Sequence, residues 1–225
     1  MKTVSLARTL RYGVYLTAFI PLVIFSQYIS PFHFGKIVVF RSIVELMLVG
    51  YLLLIWQDRS YLPKRNPLFW AFLAFAVAFT ITTATSVIPY MSFWGTLERM
   101  GGLWTFWHYF IYFTILTSVF RTREQWFTLV KIMTWVAIAS ALYGLGQKTS
   151  SPLFIGGGGR ERIFGTIGNP ALFAGYQIVA LFLALTFFLR RDATTKERLL
   201  FGTEVVLGTL AVIMTAVRGS LLGLG

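Results

Sequence analysis

Apolar runs of about twenty residues recur along this chain, and each is long enough to cross a hydrocarbon core of about 30 Å as a helix. IVVFRSIVELMLVGYLLLIW (37–56) and LFWAFLAFAVAFTITTATSVI (68–88) are two of them. The chain has 225 residues, 56% apolar and 12% charged. A soluble domain carries about a quarter charged residues, so too few are present here to build a polar shell. Period-2 alternation is absent, which leaves helices as the way to satisfy backbone groups in lipid. The expected fold is all-α, a polytopic transmembrane bundle forming a single domain over 1–225. Its spans are drawn at 12–30, 37–57, 68–88, 104–120, 126–146, 170–189 and 199–217, with GSLLGLG (219–225) opening an eighth.

The start, MKTVSLARTLRYGVYLTAFIPLVIFS, has the basic head and apolar run of a signal peptide. No small-residue cleavage site follows, so it reads as a retained first helix. The net charge of +12 is spread over the hydrophilic gaps. That pattern suits topology control and anionic membrane lipids, and it offers no basic face for nucleic acid. With the N-terminus in the cytoplasm, the inside segments hold Lys2, Arg8, Arg11, Arg59, Lys64, Arg65, Arg121, Arg123, Lys131, Arg190, Arg191, Lys196 and Arg198. The outside holds the smaller set of Lys36, Arg41, Arg99, Lys148, Arg160, Arg162 and Arg218. The positive-inside rule therefore favours this orientation. Zero cysteines exclude disulfides and thiol chemistry, and no metal-spaced cluster of ligands is present.

The orientation puts GGGGRERIFGTIGNPALFAGY (156–176) on the outer side. It lacks the Lys-Ser/Thr end of a P-loop and the βαβ setting of a dinucleotide fingerprint. Two readings remain. The glycines and charges turn the chain at the interface, or they form an anion site. In the second, Asn169 and Pro170 start a helix whose N–H groups and positive dipole end lie beside Arg160 and Arg162. Arg218, in TAVRGSLLGLG, is either an interfacial anchor or a third cation for the same site.

Arg41 and Glu45 stand four apart on the second span, on one face, and are expected to neutralise each other; lining an outer cavity is the other reading. In SFWGTLERMGGLWTFWHYF the aromatics suit an interfacial belt, and Glu98 and Arg99 suit a local pair. His108 reads as a hydrogen-bonding anchor, with a catalytic base as the alternative.

RIFGTIGNPALFAGYQ (162–177) and TAVRGSLLGLG (215–225), one span apart, resemble the O-antigen ligase and O-antigen polymerase superfamily. SFWGTLERMGGLWTFWHY and the Phe-Arg…Glu pattern of the second span are similar to segments of its ligase-like members. The resemblance implies a multi-pass glycosyltransferase of the bacterial cytoplasmic (inner) membrane, working in cell-envelope polysaccharide biogenesis. Its donor would be a polyprenyl-diphosphate-linked glycan, and its acceptor a glycan, lipid or protein. No nucleotide sugar, cofactor or metal is implied. The outer arginines Arg162, Arg160 and Arg218 would hold the diphosphate, with Asn169 beside them. Ligases of this kind carry a later outer loop with a histidine proposed as the base, so the chain is expected to be an N-terminal portion whose catalytic base lies beyond Gly225. Two other functions remain open from the residues: a transporter or flippase of an anionic lipid or solute, and a non-catalytic membrane assembly partner.

Overall fold

The computed structural model describes residues 2–28, 30–149, 151–156 and 162–224. It is 71% helix, and no strand occurs among the described residues. Among the described residues four helices are long and apolar enough to cross a membrane: Phe34–Gln57, Pro67–Ala84, Arg123–Gly146 and Pro170–Phe188. The chain divides into two compact units.

The first unit comprises Met1–Ile20 and His33–Trp126. Its helix α1, Lys2–Thr17, begins and ends earlier than the 12–30 drawn from hydropathy. The reason is Pro21, which lies in a 3-10 turn, Ile20–Leu22. Proline has no N–H to donate and its ring obstructs the preceding turn, so the helix stops short of it. α2 spans Phe34–Gln57 and α3 spans Pro67–Ala84. Asn66 starts α3 by accepting from the Phe69 N–H at 2.8 Å, with Pro67 at the first helical position. A short helix not foreseen in the sequence, α4 (Pro89–Trp94), precedes α5 (Leu103–Val119).

Ala7, Leu10 and Val14 of α1 are buried at helical spacing, as are Val44, Met47, Tyr51 and Leu54 of α2. Gly13 lets Met47 approach: a Cβ there would lie 2.9 Å from its Sδ. Tyr51 donates to the Tyr61 carbonyl at 2.9 Å and shares a 3.0 Å bond with Ser118 of α5. Phe72 and Phe79 of α3 meet Phe106 of α5, with Phe110 also against Phe72. Within lipid such contacts stabilise by close packing rather than by removing apolar surface from water.

The second unit comprises Pro21–Phe32 and Phe127–Gly225. It contains all but the first turn of α6 (Arg123–Gly146), and α7 (Pro170–Phe188), α8 (Thr195–Met214) and α9 (Arg218–Leu222). Thr194 and Glu197 form a reciprocal capping box at the start of α8. Ala141 of α6, Phe173 of α7 and Ala211 of α8 bury together with Ile163 from the intervening loop. That packing carries the loop's C-terminal half into the interior.

Candidate functional site

The loop before α7 is organised by Gln147, a residue the sequence does not single out. Its side chain is 1% exposed. Its Oε1 accepts from the Phe164 and Gly165 N–H groups at 3.0 and 2.9 Å, and its Nε2 donates to the Ile155 and Gly165 carbonyls at 3.0 and 3.3 Å. All four bonds go to loop backbone, and the two at Gly165 satisfy groups that are buried. Ser140 and Thr166 add a 2.6 Å hydroxyl–hydroxyl bond, and Tyr143 accepts from the Ile155 N–H at 2.9 Å. Gly165 has φ +54, and a Cβ there would stand 2.4 Å from the Phe173 ring. This glycine is required on both counts.

At its inner edge the loop joins the end of α8. Arg162 donates from Nε to the Thr215 carbonyl at 2.9 Å, and the Ile163 N–H donates to the Met214 carbonyl at 3.3 Å. Those carbonyls belong to the last turn of α8, whose orphan acceptors and negative dipole end favour a cation. The chain then turns through Ala216, at φ +52, and α9 begins at Arg218. Arg162 and Arg218 are both exposed residues, one bound to Thr215 and the other three positions beyond it. Among the described residues the Arg218 side chain has no hydrogen-bond or ion-pair partner. Arg160 lies outside the described residues.

The expectation of free N–H groups at the start of α7 meets a closed cap. Asn169 Oδ1 accepts from the Ala171 and Leu172 N–H groups at 2.9 and 3.2 Å, and the Phe173 N–H donates to the Asn169 carbonyl at 2.9 Å. Pro170 has no N–H. Asn169 therefore starts the helix, as foreseen, and in doing so occupies the donors that an anion would use.

In the first unit the foreseen Arg41–Glu45 ion pair is replaced by two separate sets of partners. Arg41, 9% exposed, donates from Nε to Thr105 Oγ1 at 3.0 Å and from Nη2 to the Met100 carbonyl at 2.9 Å, with a further Nη2 bond to Thr105. Glu45 instead meets His108: Oε1 lies 3.0 Å from Nε2. His108 Nδ1 is 2.7 Å from the Trp104 carbonyl. A carbonyl only accepts, so Nδ1 carries a proton. The 3.0 Å contact between Nε2 and Glu45 Oε1 is a hydrogen bond between the two side chains.

The pair borders a cleft of about 220 Å³ lined by Val44, Leu48, Trp104, Trp107 and Ile111. The structure places His108, read from the sequence as a hydrogen-bonding anchor, against Glu45 and the Trp104 carbonyl, and the Arg41–Glu45 pair does not form. It gives a carboxyl–imidazole couple, 3.0 Å apart, at an apolar cleft. Glu98 and Arg99 are exposed and form no ion pair with each other among the described residues. Their chain segment turns through Met100 at φ +45, which offers the Met100 carbonyl to Arg41.

One more group lies outside the sequence reading. Glu204 of α8 is fully buried, and neither of its carboxyl oxygens has a hydrogen-bond partner among the described residues. A Cβ on Gly208, one turn on, would lie 2.9 Å from its Oε1. An isolated charge is not stable in such a place. The only hint in the sequence is a glutamate in an otherwise apolar span.

No family model, no curated protein and no solved structure matches the chain.

Proposed function

We propose that this chain is a membrane glycosyltransferase of the O-antigen ligase-like kind, transferring or polymerising glycan from a polyprenyl-diphosphate carrier. In this reading it is a multi-pass protein of the bacterial cytoplasmic membrane with about seven spans and its N-terminus inside, and the site faces outward. Arg162 and Arg218, with Arg160, hold the diphosphate. The observation that carries the reading is the 2.9 Å bond from Arg162 to the Thr215 carbonyl. It ties the Gly-Thr-x-Gly-Asn-Pro segment to the turn that leads into Arg218, so the two motifs of the resemblance share one locality. One guanidinium edge of Arg162 is used in that tie, which fixes the remainder as a positioned cation. Positioned positive charge stabilises a diphosphate leaving group as negative charge develops on it.

The test is glycan transfer by Arg162→Ala and Arg218→Ala in membranes where both variants insert at the level of the unaltered protein. Removing one such contact costs about 100-fold or more in rate. Normal transfer by both would sink the assignment. Glu204 is the observation that favours the transporter reading, since intramembrane acids mark ion and substrate pathways. Counterflow of an anionic solute into proteoliposomes, abolished by Glu204→Gln, would decide for transport.

A further inference from the structure

We propose that the exposed face of α8 in the second unit is a binding site for one anionic phospholipid. Its phosphate would lie at Arg198 and an acyl chain along the groove that follows. The inference rests on reading the chain as a membrane protein and is independent of what the arginines of the outer loop do.

A groove of about 590 Å³ runs along α8 from Arg198 past Leu199, Gly202, Thr203 and Val206 to Leu207, with Phe188 of α7 as its wall. Its floor is open at Gly202, where a Cβ would stand 3.1 Å from the Phe188 ring. The walls are apolar apart from Thr203, whose hydroxyl donates to the Leu199 carbonyl at 2.8 Å and so offers no donor to a ligand. From Arg198 to Leu207 the helix rises about 14 Å. That matches one leaflet, half of a hydrocarbon core of about 30 Å. The groove has the length and polarity of a single acyl chain, and its one charged end carries a cation.

The charge at that end is uncompensated. Two acids lie in the same stretch, and both are engaged: Asp192 with Arg190, and Glu197 with Lys131 at 3.1 Å. Arg190 also stacks over the Phe127 ring, 4.9 Å from its centroid. Arg191, Lys196 and Arg198 remain without an ion-pair partner among the described residues. The Arg198 guanidinium makes only long contacts, 3.4 Å each, to the Ala193 and Arg190 carbonyls. The capping box occupies the start of α8, so side-chain charge rather than backbone N–H groups would meet the phosphate. Basic groups at a membrane surface select anionic head groups in this way.

The experiment uses the full chain purified in detergent, with phosphatidylglycerol or phosphatidylcholine added back. Lipid retention is read by native mass spectrometry and the unfolding midpoint by thermal scan. The unaltered protein should retain phosphatidylglycerol over phosphatidylcholine by about fivefold, the factor that one interfacial cation contributes. Arg198→Glu should bring that ratio to about one, and Arg198→Lys should keep most of it. Val206→Trp fills the groove from an exposed position (59% exposed) and should reduce retention of both lipids without lowering the lipid-free midpoint. Lys64→Glu, in the other unit, makes the same change in net charge and should leave the ratio intact. The proposal is overturned if Arg198→Glu and Val206→Trp bind like the unaltered protein. It is also overturned if Lys64→Glu lowers the ratio equally, or if inorganic phosphate alone reproduces the midpoint shift.

Discussion

Gln147 and Gly165 pair through both of their polar ends: the Gln147 Oε1 accepts from the Gly165 N–H at 2.9 Å, and its Nε2 donates to the Gly165 carbonyl at 3.3 Å. The amide acts as a second peptide group laid against the loop. Gln147→Leu keeps the bulk and removes all four bonds, stranding buried backbone groups. The expected cost is about 2–4 kcal/mol, read as a lowered unfolding midpoint in detergent together with faster proteolysis between residues 149 and 165. An unchanged midpoint would show that water replaces the side chain and that the clamp is dispensable.

Gly165→Ala should cost about 1–3 kcal/mol, because the backbone is left-handed there and the added methyl meets the Phe173 ring. Gly175 supplies the contrast. It lies inside α7 with nothing within 4 Å of an added Cβ, so Gly175→Ala should be neutral or stabilising by up to about 1 kcal/mol. Equal effects of the two substitutions would remove the steric argument.

Because His108 must donate from Nδ1 to Trp104, its Nε2 can accept a bond from an uncharged donor at position 45. Glu45→Gln supplies one, and Glu45→Leu does not. The Leu variant should be the less stable of the two. A double-mutant cycle with His108→Phe should give a coupling of about 0.5–3 kcal/mol with Glu45. Additive single changes would mean that the 3.0 Å approach carries no energy.

Acid should loosen the start of α8. The Thr194 N–H and the Lys131 ammonium, both bonded to the Glu197 carboxylate, hold that group below its ordinary value, the backbone bond contributing most. A depressed folded value means that the stabilisation is fully present above the unfolded value, near 4.5, and is lost as pH falls through the lower folded one. Helicity in detergent should therefore fall below about pH 4, and Glu197→Gln should flatten that part of the profile. A profile unaltered by the substitution would place the transition elsewhere.

The features written locally in the sequence are those that the structure returns nearly unchanged. Asn169-Pro170 and Asn66-Pro67 start helices because the cap and the fixed φ of proline act within three residues. The four helices able to cross a membrane follow from composition alone. Hydropathy misplaced α1 because the apolar run continues through Pro21 while hydrogen bonding does not. It missed the short α4, whose six residues leave no periodic trace. The partners of Arg41 and Glu45 were illegible for a different reason. Their ligands are 64 and 63 positions away, and the i,i+4 rule describes only what one helix face offers. Gln147 and Glu204 are single polar letters whose meaning depends on which backbone or void folds against them.

The two fastenings of the loop before α7 differ in when they can be made during synthesis. Gln147 reaches Gly165 across 18 positions, so that hold can form once the loop and the start of α7 have left the ribosome. Arg162 must wait for Thr215, 53 positions later, and hence for both α7 and α8 to be synthesised. A nascent chain stalled between these points could close the Gln147 hold but would leave Ile163 and Arg162 without their partners on α8. The closing of the arginine tie is thus a record that the helical hairpin behind it has been delivered in the correct order.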